Sequence, residues 1–144
     1  MPGFPVFGTG QPTLEGFNKC LEPIEKKYGD EKHIYWVNLR QEPVVYVNGK
    51  PFSARDPEKL NYHIEISNPE EVYKWEEGFA SKIKDAGEEI KFFQDQFGEH
   101  PDDRVVKEIT GTEKVTEIKT LTSIFGGMKE KVIHPFHFEA PTMN

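Results

Sequence analysis

A turn signal near the middle of the chain is the feature that most constrains its fold. Residues 44–47 read Val-Val-Tyr-Val, Asn48 and Gly49 follow directly, and Pro51 comes two residues later. Asn-Gly between β-prone residues predicts a tight β-hairpin, because both central positions of the turn require positive φ. Pro51 has no amide proton to donate, so we expect the second arm to be a very short strand or an edge strand.

Helical and extended segments alternate around this hairpin. Thr13 is the predicted N-cap of a first helix that ends at Gly29, and Pro23 is expected to kink this helix or end it early. Residues 33–39 are apolar at both odd and even positions, which predicts a strand buried on both faces, as in a parallel sheet. Residues 53–61 are polar and are predicted to form a loop.

The longest predicted element is a helix that begins after Asn68 and ends at Gly98. Its apolar residues recur at steps of three and four, which is the spacing of one face of a helix of about seven turns. These residues are Val72, Trp75, Phe79, Ile83, Ala86, Ile90, Phe93 and Phe97. We expect this face to pack against the core.

The remaining segments complete an alternating order of elements. Extended segments are predicted at 104–109 and 114–121, a short helix from residue 122 toward residue 129, and a strand over 131–138. This order predicts an α/β (α+β) fold, in which helices pack on a sheet. We expect residues 1–144 to form a single domain, because this length is typical of one domain.

The composition argues against several classes of function. The 25 acidic residues outnumber the 18 basic ones, which argues against nucleic acid as a partner. No run of apolar residues approaches the roughly 18 that cross a membrane, so no membrane partner is expected. Cys20 is the single cysteine and cannot form an internal disulfide or a zinc cluster, which indicates a reducing, cytoplasmic compartment.

The sequence contains no complete catalytic or metal-binding motif. Of the five histidines only His134 and His137 are close together, and a spacing of three on a strand places them on opposite faces. We therefore expect no metal site and no cofactor. Cys20 lies within the first predicted helix, away from the helix N-terminus that would activate a thiol, so we expect a packed thiol.

Positive charge concentrates around the hairpin. Arg40 follows the predicted buried strand, and Lys50 and Arg55 lie on or after the second arm. Ligands of open α/β sheets bind beyond the carboxyl ends of strands, so these three residues are candidates for binding an anion such as a phosphate-bearing ligand. The alternative is a solvated loop in which Arg40 pairs with Glu42 or another carboxylate.

Several motifs together resemble a known family. They are G-Q-P-T-x-E-G at residues 10–16, L-R-Q-E-P at 39–43, V-V-Y-V-N-G-K-P-F at 44–52, and Arg55. This ordered set is similar to the opening of a repeat unit in the paladin family of protein-tyrosine-phosphatase-like proteins, which is related to bacterial cysteine phytases. The resemblance implies a phosphatase-like sheet.

The resemblance also implies an active-site loop of the form C-x5-R, in which a cysteine thiolate attacks phosphorus. It places this loop after the strand at 131–138, and no such loop occurs in these 144 residues. Cys20 does not begin one, because residue 26 is Lys26. The expectation is an N-terminal half of a phosphatase-like domain, without catalytic residues.

Two functions follow from this expectation. The first is a non-catalytic, phosphatase-like interaction or structural subunit that binds a protein partner in the cytoplasm, with a cytoskeletal or ciliary assembly as one setting. The alternative is an N-terminal fragment of a cysteine-dependent phosphatase, acting on phosphotyrosine or inositol phosphates and active only when its C-terminal half completes it. A third reading is a stand-alone binder of phosphate-bearing ligands.

The resemblance further implies where a partner binds. It places the strands at 33–39 and 131–138 on either side of a missing strand. Their edges and apolar side chains then lack cover, and exposed apolar edges favour pairing with another chain. The expected partner-binding residues are Ile34, Trp36, Ile133 and Phe136.

Overall fold

The computed structural model describes residues 5–29, 33–97, 104–128 and 132–137. Within these ranges the helices are α1 (Leu14–Tyr28), α2 (Pro69–Asp85) and α3 (Leu121–Gly127). The strands are β1 (Ile34–Asn38), β2 (Val44–Val47), β3 (Lys50–Ser53), β4 (Arg55–Asp56), β5 (Lys59–His63), β6 (Glu89–Phe97), β7 (Arg104–Lys114), β8 (Ile118–Thr120) and β9 (Val132–His137). This is the expected α+β class.

Helix α1 begins directly after Thr13, the predicted N-cap. The Thr13 side chain accepts a hydrogen bond from the Gly16 N–H at 3.1 Å, and the helix ends before Gly29, whose φ is 82°. The expected early ending at Pro23 is wrong, because the helix continues to Tyr28. A proline removes one intrahelical hydrogen bond, and the helix, which is anchored by the buried Phe17 and Leu21, continues past it.

The hairpin prediction is confirmed. Strand β2 pairs antiparallel with β3, and the turn residues Asn48 and Gly49 have φ values of 50° and 79°. Strand β8 pairs with the other side of β2, so β3, which carries Pro51, lies at the edge of a three-stranded sheet. Every residue of β2 is buried, which makes this strand the centre of the described core.

Strands β1 and β9 form a parallel pair, in which Val37 lies opposite Phe136. The expectation that a missing strand separates them is therefore wrong, because they are hydrogen-bonded to each other directly. Burial of β1 on both faces is also wrong. Ile34 and Trp36 turn toward the core, whereas Tyr35 and Val37 are exposed, so β1 is covered on one face.

The predicted long helix is wrong in its second half. Helix α2 ends at Asp85, Gly87 follows with φ of 111°, and β6 then runs from Glu89 and pairs antiparallel with β7. Gly87, with its positive φ, lies between the two elements, and the apolar residues beyond it belong to a strand although they continue the steps of three and four. Strand β7 also runs without a break through Gly111, where two segments were expected.

Two further expectations differ from the structure in which residues they assign to an element or to a buried face. The predicted polar loop at 53–61 contains β4 and part of β5, which form a small antiparallel pair. The buried face of α2 includes Val72, Glu76 and Ile83, whereas Trp75 is exposed. The apolar stripe therefore predicted the helix correctly over this range. It included Trp75, which is exposed, and left out the neighbouring Glu76, which is buried.

Strand β2 divides the core into two clusters, because its side chains alternate between the two faces of the sheet. One cluster contains Phe17, Leu21, Val44, Tyr46, Leu121, Ile124 and Phe125. The other contains Val45, Val47 and Ile83, with half-buried residues of α2, β3, β6 and β8 packed against it. Across the described ranges, none of the helices has both the length and the hydrophobicity that crossing a membrane requires.

Candidate functional site

The candidate site is the junction where the loop after β1 enters β2, close to the start of α1. The loop begins beside the buried Asn38, whose Oδ1 accepts a hydrogen bond from the Arg40 N–H at 3.1 Å. The Arg40 guanidinium forms an ion pair with Glu42 at 3.2 Å. The Ile66 N–H donates to the Gln41 carbonyl at 2.9 Å, so the loop is held at both its backbone and its charged side chains.

Tyr46 joins strand β2 to the segment before α1. The Gln11 side-chain amide donates to the Tyr46 hydroxyl, which donates in turn to the Pro12 carbonyl at 2.8 Å. Burial raises the pKa of Tyr46 to about 12, although the Gln11 hydrogen bond and the nearby Arg40 charge act in the opposite direction. The phenol therefore stays neutral and serves as a donor at physiological pH.

The segment at residues 10–16 packs against the hairpin through its backbone as well. The Leu14 N–H donates to the Gly49 carbonyl at 2.9 Å. A Cβ atom at Gly16 would lie 3.0 Å from Pro12 Cβ and 3.2 Å from Thr13 Oγ1, which is why glycine suits this position. Two of the motifs that carry the family resemblance, at residues 10–16 and 44–52, are thus in contact with each other in the fold.

Asn48 holds the other end of the hairpin. Its Oδ1 accepts hydrogen bonds from the Thr116 N–H at 2.9 Å and the Glu117 N–H at 3.1 Å, and its side-chain amide donates to the Lys114 carbonyl at 2.7 Å. One side chain thus satisfies several backbone groups of the connection between β7 and β8. Asparagine combines the positive φ that the turn requires with these hydrogen-bonding groups.

Glu76 of α2 is the residue that sequence reasoning missed. It is completely buried, its Oε1 accepts a hydrogen bond from the Val44 N–H at 3.0 Å, and its Oε2 has no hydrogen-bond partner. Burial raises its pKa to about 7, against the backbone N–H groups of Val44 and Leu121, which favour the charged form. Its spacing of four from Val72 is the signal that places it on the buried face of the helix.

The structure separates the three predicted anion-binding cations. Val44 lies opposite Ser53 and Val47 lies opposite Lys50. Arg40 and Arg55 therefore lie beyond one end of the hairpin, and Lys50 lies at the other end. The two ends of β3 are roughly 10 Å apart, at about 3.3 Å per residue. Lys50 pairs with Glu113 at 3.2 Å. Arg55 begins β4 and lies opposite His63 in β5.

The four predicted partner-binding residues fall into two groups, one packed in the core and one on β9. Trp36 packs on Phe17 with ring centroids 4.7 Å apart, and Ile34 packs against the same cluster, so both serve the core. Ile133 and Phe136 are part of β9, which pairs with β1, but their side chains lie outside what the structure describes.

A different set of residues forms the exposed apolar face of β1. Tyr35 is 60% exposed, Val37 48% and Leu39, which directly follows the strand, 70%. Their spacing of two places them on one face of the strand, opposite the side that packs on the core. We call these three residues the outer face of β1. Apolar residues occupy both faces of this segment in the sequence, so the sequence predicts burial on both sides, and only the structure shows which face is exposed.

Few of the described residues could act as a nucleophile or bind a metal ion. Cys20 is half-buried, and its Sγ lies 4.0 Å from the Thr9 hydroxyl. Among the described residues no three of the types histidine, cysteine, aspartate and glutamate come together as a set that holds a metal ion. The chemistry of the junction is therefore that of a neutral phenol, one buried carboxyl group and a paired arginine.

Sequence comparison relates this chain to phosphatase-like proteins. Residues 37–133 match the sequence model of the PTP-like phytase family. The description of this family names inositol hexakisphosphate. Paladin from Xenopus tropicalis is 28% identical over 98 residues, which are 67% of this chain and 11% of that protein. Paladin from Gallus gallus is 31% identical over 78 residues, which are 53% of this chain and 9% of that protein. The chain spans about a tenth of the length of these relatives.

Structural comparison gives the same family of folds. The PTP-like myo-inositol phosphatase from Mitsuokella multacida, solved in complex with myo-inositol-(1,3,4,5)-tetrakisphosphate, aligns with a TM-score of 0.53 and 18% sequence identity. The alignment covers 90% of this chain and 20% of that chain. At this level of identity the likeness shows the fold alone. Together, the matches in sequence and structure confirm the predicted resemblance to paladin-type, phosphatase-like proteins.

Proposed function

This chain belongs to the family of PTP-like phytases, and within that family we propose that it acts as a non-catalytic, phosphatase-like module that binds a protein partner. The observation that carries this proposal is the outer face of β1, where three apolar side chains are exposed on one side of a parallel strand pair. Parallel sheets are usually covered on both faces. A contiguous exposed apolar surface is typical of an interaction site.

The absence of a catalytic nucleophile supports the non-catalytic part of the proposal. Covalent phosphoryl transfer by this type of enzyme requires an activated thiolate. Cys20 is the only cysteine in the 144 residues, it lies within α1, and Lys26 stands where a C-x5-R loop requires arginine. We expect no hydrolysis of inositol phosphates or aryl phosphates by this chain alone. Turnover by the pure protein, retained in Cys20→Ser, would contradict this expectation.

The setting we propose is the cytoplasm. The single cysteine agrees with a reducing compartment, because small proteins of oxidising compartments usually carry several paired cysteines. A cytoskeletal or ciliary assembly is the place where we propose to search for the partner, since small subunits of such assemblies are held by their neighbours. Imaging of the tagged full chain in ciliated cells tests this, and a secreted or luminal location would contradict it.

A charge on the outer face of β1 tests the binding proposal. Val37→Asp places a carboxylate on the exposed face, whereas Val6→Asp places the same charge on the exposed segment before α1. We expect a cross-linked partner to be retained by the wild type and by Val6→Asp and to be lost with Val37→Asp. Circular dichroism checks that both variants remain folded. Equal retention of the partner by Val37→Asp would refute the proposed surface.

A second candidate is supported by the likeness to the solved phosphatase. This chain aligns with one fifth of that protein, so the alternative we propose is a fragment of a cysteine-dependent phosphatase for phosphotyrosine or inositol phosphates, in the N-terminal position that the resemblance implies. In that case a separate polypeptide that carries a C-x5-R loop restores turnover when it is mixed with this chain. Mixing that leaves both polypeptides inactive and unbound would exclude this candidate.

Ligand binding without turnover is tested separately. Inositol hexakisphosphate is the probe, because it is the compound that the family description names. If the cations near the hairpin bind it, calorimetry shows an affinity that Arg40→Ala or Arg55→Ala weakens. Lys50→Ala serves as the comparison, because Lys50 lies at the opposite end of the hairpin. Equal effects of all three substitutions would indicate attraction by overall charge only.

A further inference from the structure

Glu76 occupies a position in which a carboxyl group is seldom found. Helix α2 packs on β2 and α3 there, and no part of the residue is exposed. Oε1 accepts from the Val44 N–H at 3.0 Å, at the first residue of β2. Oε2 is buried and makes no hydrogen bond within 3.5 Å, although the nearby Leu121 N–H favours the charged form of the group and so partly offsets its burial. A buried polar atom without a partner is uncommon in a folded protein and points to a specific role.

The charges around this carboxyl group do not neutralise it. Tyr46 faces it from β2, and Tyr73 and Glu77 lie beside it on α2. Strand β8 contributes Lys119, whose ammonium group pairs with Glu117 at 2.7 Å. Helix α3, with the sequence LTSIFGG, contributes no titratable side chain; its first N–H, that of Leu121, favours the charged form of Glu76 but does not outweigh burial.

This environment favours the neutral form of the group. In the part of the chain that the structure describes, Glu76 forms no ion pair. An ionised carboxylate that is buried without a cation carries a large desolvation penalty, whereas a neutral carboxylic acid carries a much smaller one.

We infer that Glu76 is a proton-dependent latch, which in its protonated form holds α2 against β2 and α3, and which loosens this junction by drawing in water when the proton is lost. The latch acts on the loop that carries Arg40 and Glu42, because Val44 follows that loop directly. Water entering at Oε2 competes with the Val44 N–H bond and separates α2 from the start of β2. This role is independent of the proposed partner surface, which lies on β1.

The direction of the effect follows from proton linkage. The pKa of Glu76 is raised by burial from 4.5 to about 7 in the folded protein. The folded state therefore keeps a proton over a pH range in which the unfolded state has released it. The stabilising effect is complete below pH 4.5 and is lost as the pH rises to about 7. For these two values, the equilibrium constant for unfolding rises about 70-fold between pH 5 and pH 8.

Carbon NMR of the glutamate carboxyl groups in the wild-type protein tests the titration directly. We expect the Glu76 resonance to move with a midpoint near pH 7, and a midpoint near the ordinary value of 4.5 would overturn the inference. This measurement needs no variant and therefore does not depend on whether a substitution folds.

Urea unfolding at pH 5 and pH 8 tests the consequence for stability. The variants are Glu76→Gln, which keeps an acceptor for the Val44 N–H, and Glu22→Gln, which removes the same charge from an exposed position on α1. We expect Glu22→Gln to follow the wild type, and Glu76→Gln to lose a pH-dependent change of about 70-fold relative to the wild type. Parallel pH profiles for the wild type and Glu76→Gln would overturn the inference.

Discussion

Truncation of Phe17 tests whether the described packing determines stability. Phe17 is completely buried on α1 and is the centre of an aromatic group. Its ring centroid lies 4.7 Å from that of Trp36, 5.8 Å from that of Phe125 and 6.1 Å from that of Tyr46. These partners belong to β1, α3 and β2, so Phe17→Ala removes a contact that joins three separate elements to the helix.

The expected cost is large because no solvent reaches the site. Truncation of a buried phenylalanine to alanine costs about 3–5 kcal/mol, which includes the lost transfer free energy and the cavity that remains. Aromatic pairs contribute about 0.5–1.5 kcal/mol each beyond their buried area. With three ring partners, we expect a loss in the upper half of the range, at about 4–5 kcal/mol.

Equilibrium urea unfolding, followed by far-ultraviolet circular dichroism, measures this loss. Trp36 fluorescence reports the cluster itself. Phe7→Ala is the matched control: Phe7 is 58% exposed and meets Tyr28 edge-on at 6.4 Å, so its loss should change stability by less than about 1 kcal/mol. A loss below about 1 kcal/mol for Phe17→Ala would refute the packing described for this cluster.

Three further predictions concern backbone conformation and a buried phenol. Gly78→Ala should stabilise the protein by about 0.5–1 kcal/mol, because a Cβ in the interior of α2 meets open space. Gly87→Ala, at φ of 111°, should destabilise it by at least about 1 kcal/mol, and thermal unfolding compares the two. Asn48→Ala should reduce the free energy of unfolding by about 1–2 kcal/mol more than Asn48→Gly does. Both variants lose the side-chain hydrogen bonds, and only alanine is strained at φ of 50°. Equal losses of stability in the two variants would contradict this. Burial raises the pKa of Tyr46 from 10.0 to about 12, so stability should fall as the pH rises through that interval, and ultraviolet titration should lose this step in Tyr46→Phe.

The exposed face of β1 shows the limit of an apolar pattern as a guide to burial. Residues 34–38 contain apolar side chains on both faces, which predicts burial on both. Whether the second face is covered depends on which elements pack over it. Helices α1 and α3 supply aromatic partners to Trp36, and Val37 on the other face stays exposed.

Glu76 shows the complementary difficulty. Its spacing of four from Val72 marks the buried face of α2, yet a charged residue type argues against burial. The Val44 N–H that it accepts from lies 32 residues away in the sequence, and no local pattern connects the two. The raised pKa, and the latch inferred from it, therefore depend on contacts between distant segments.

Local interactions explain what the sequence alone determined. The Asn48-Gly49 turn, the Thr13 cap and the edge position of β3 each depend on residues within a few positions of one another, and all were predicted correctly. The family was identified for a related reason, because the motifs that carry it are short and contiguous. Tertiary structure alone decided the direct pairing of β1 with β9, the change from helix to strand around Gly87 and the placement of Glu76. These features depend on which distant segments meet, and the free energy of such contacts does not depend on the periodicity of either segment.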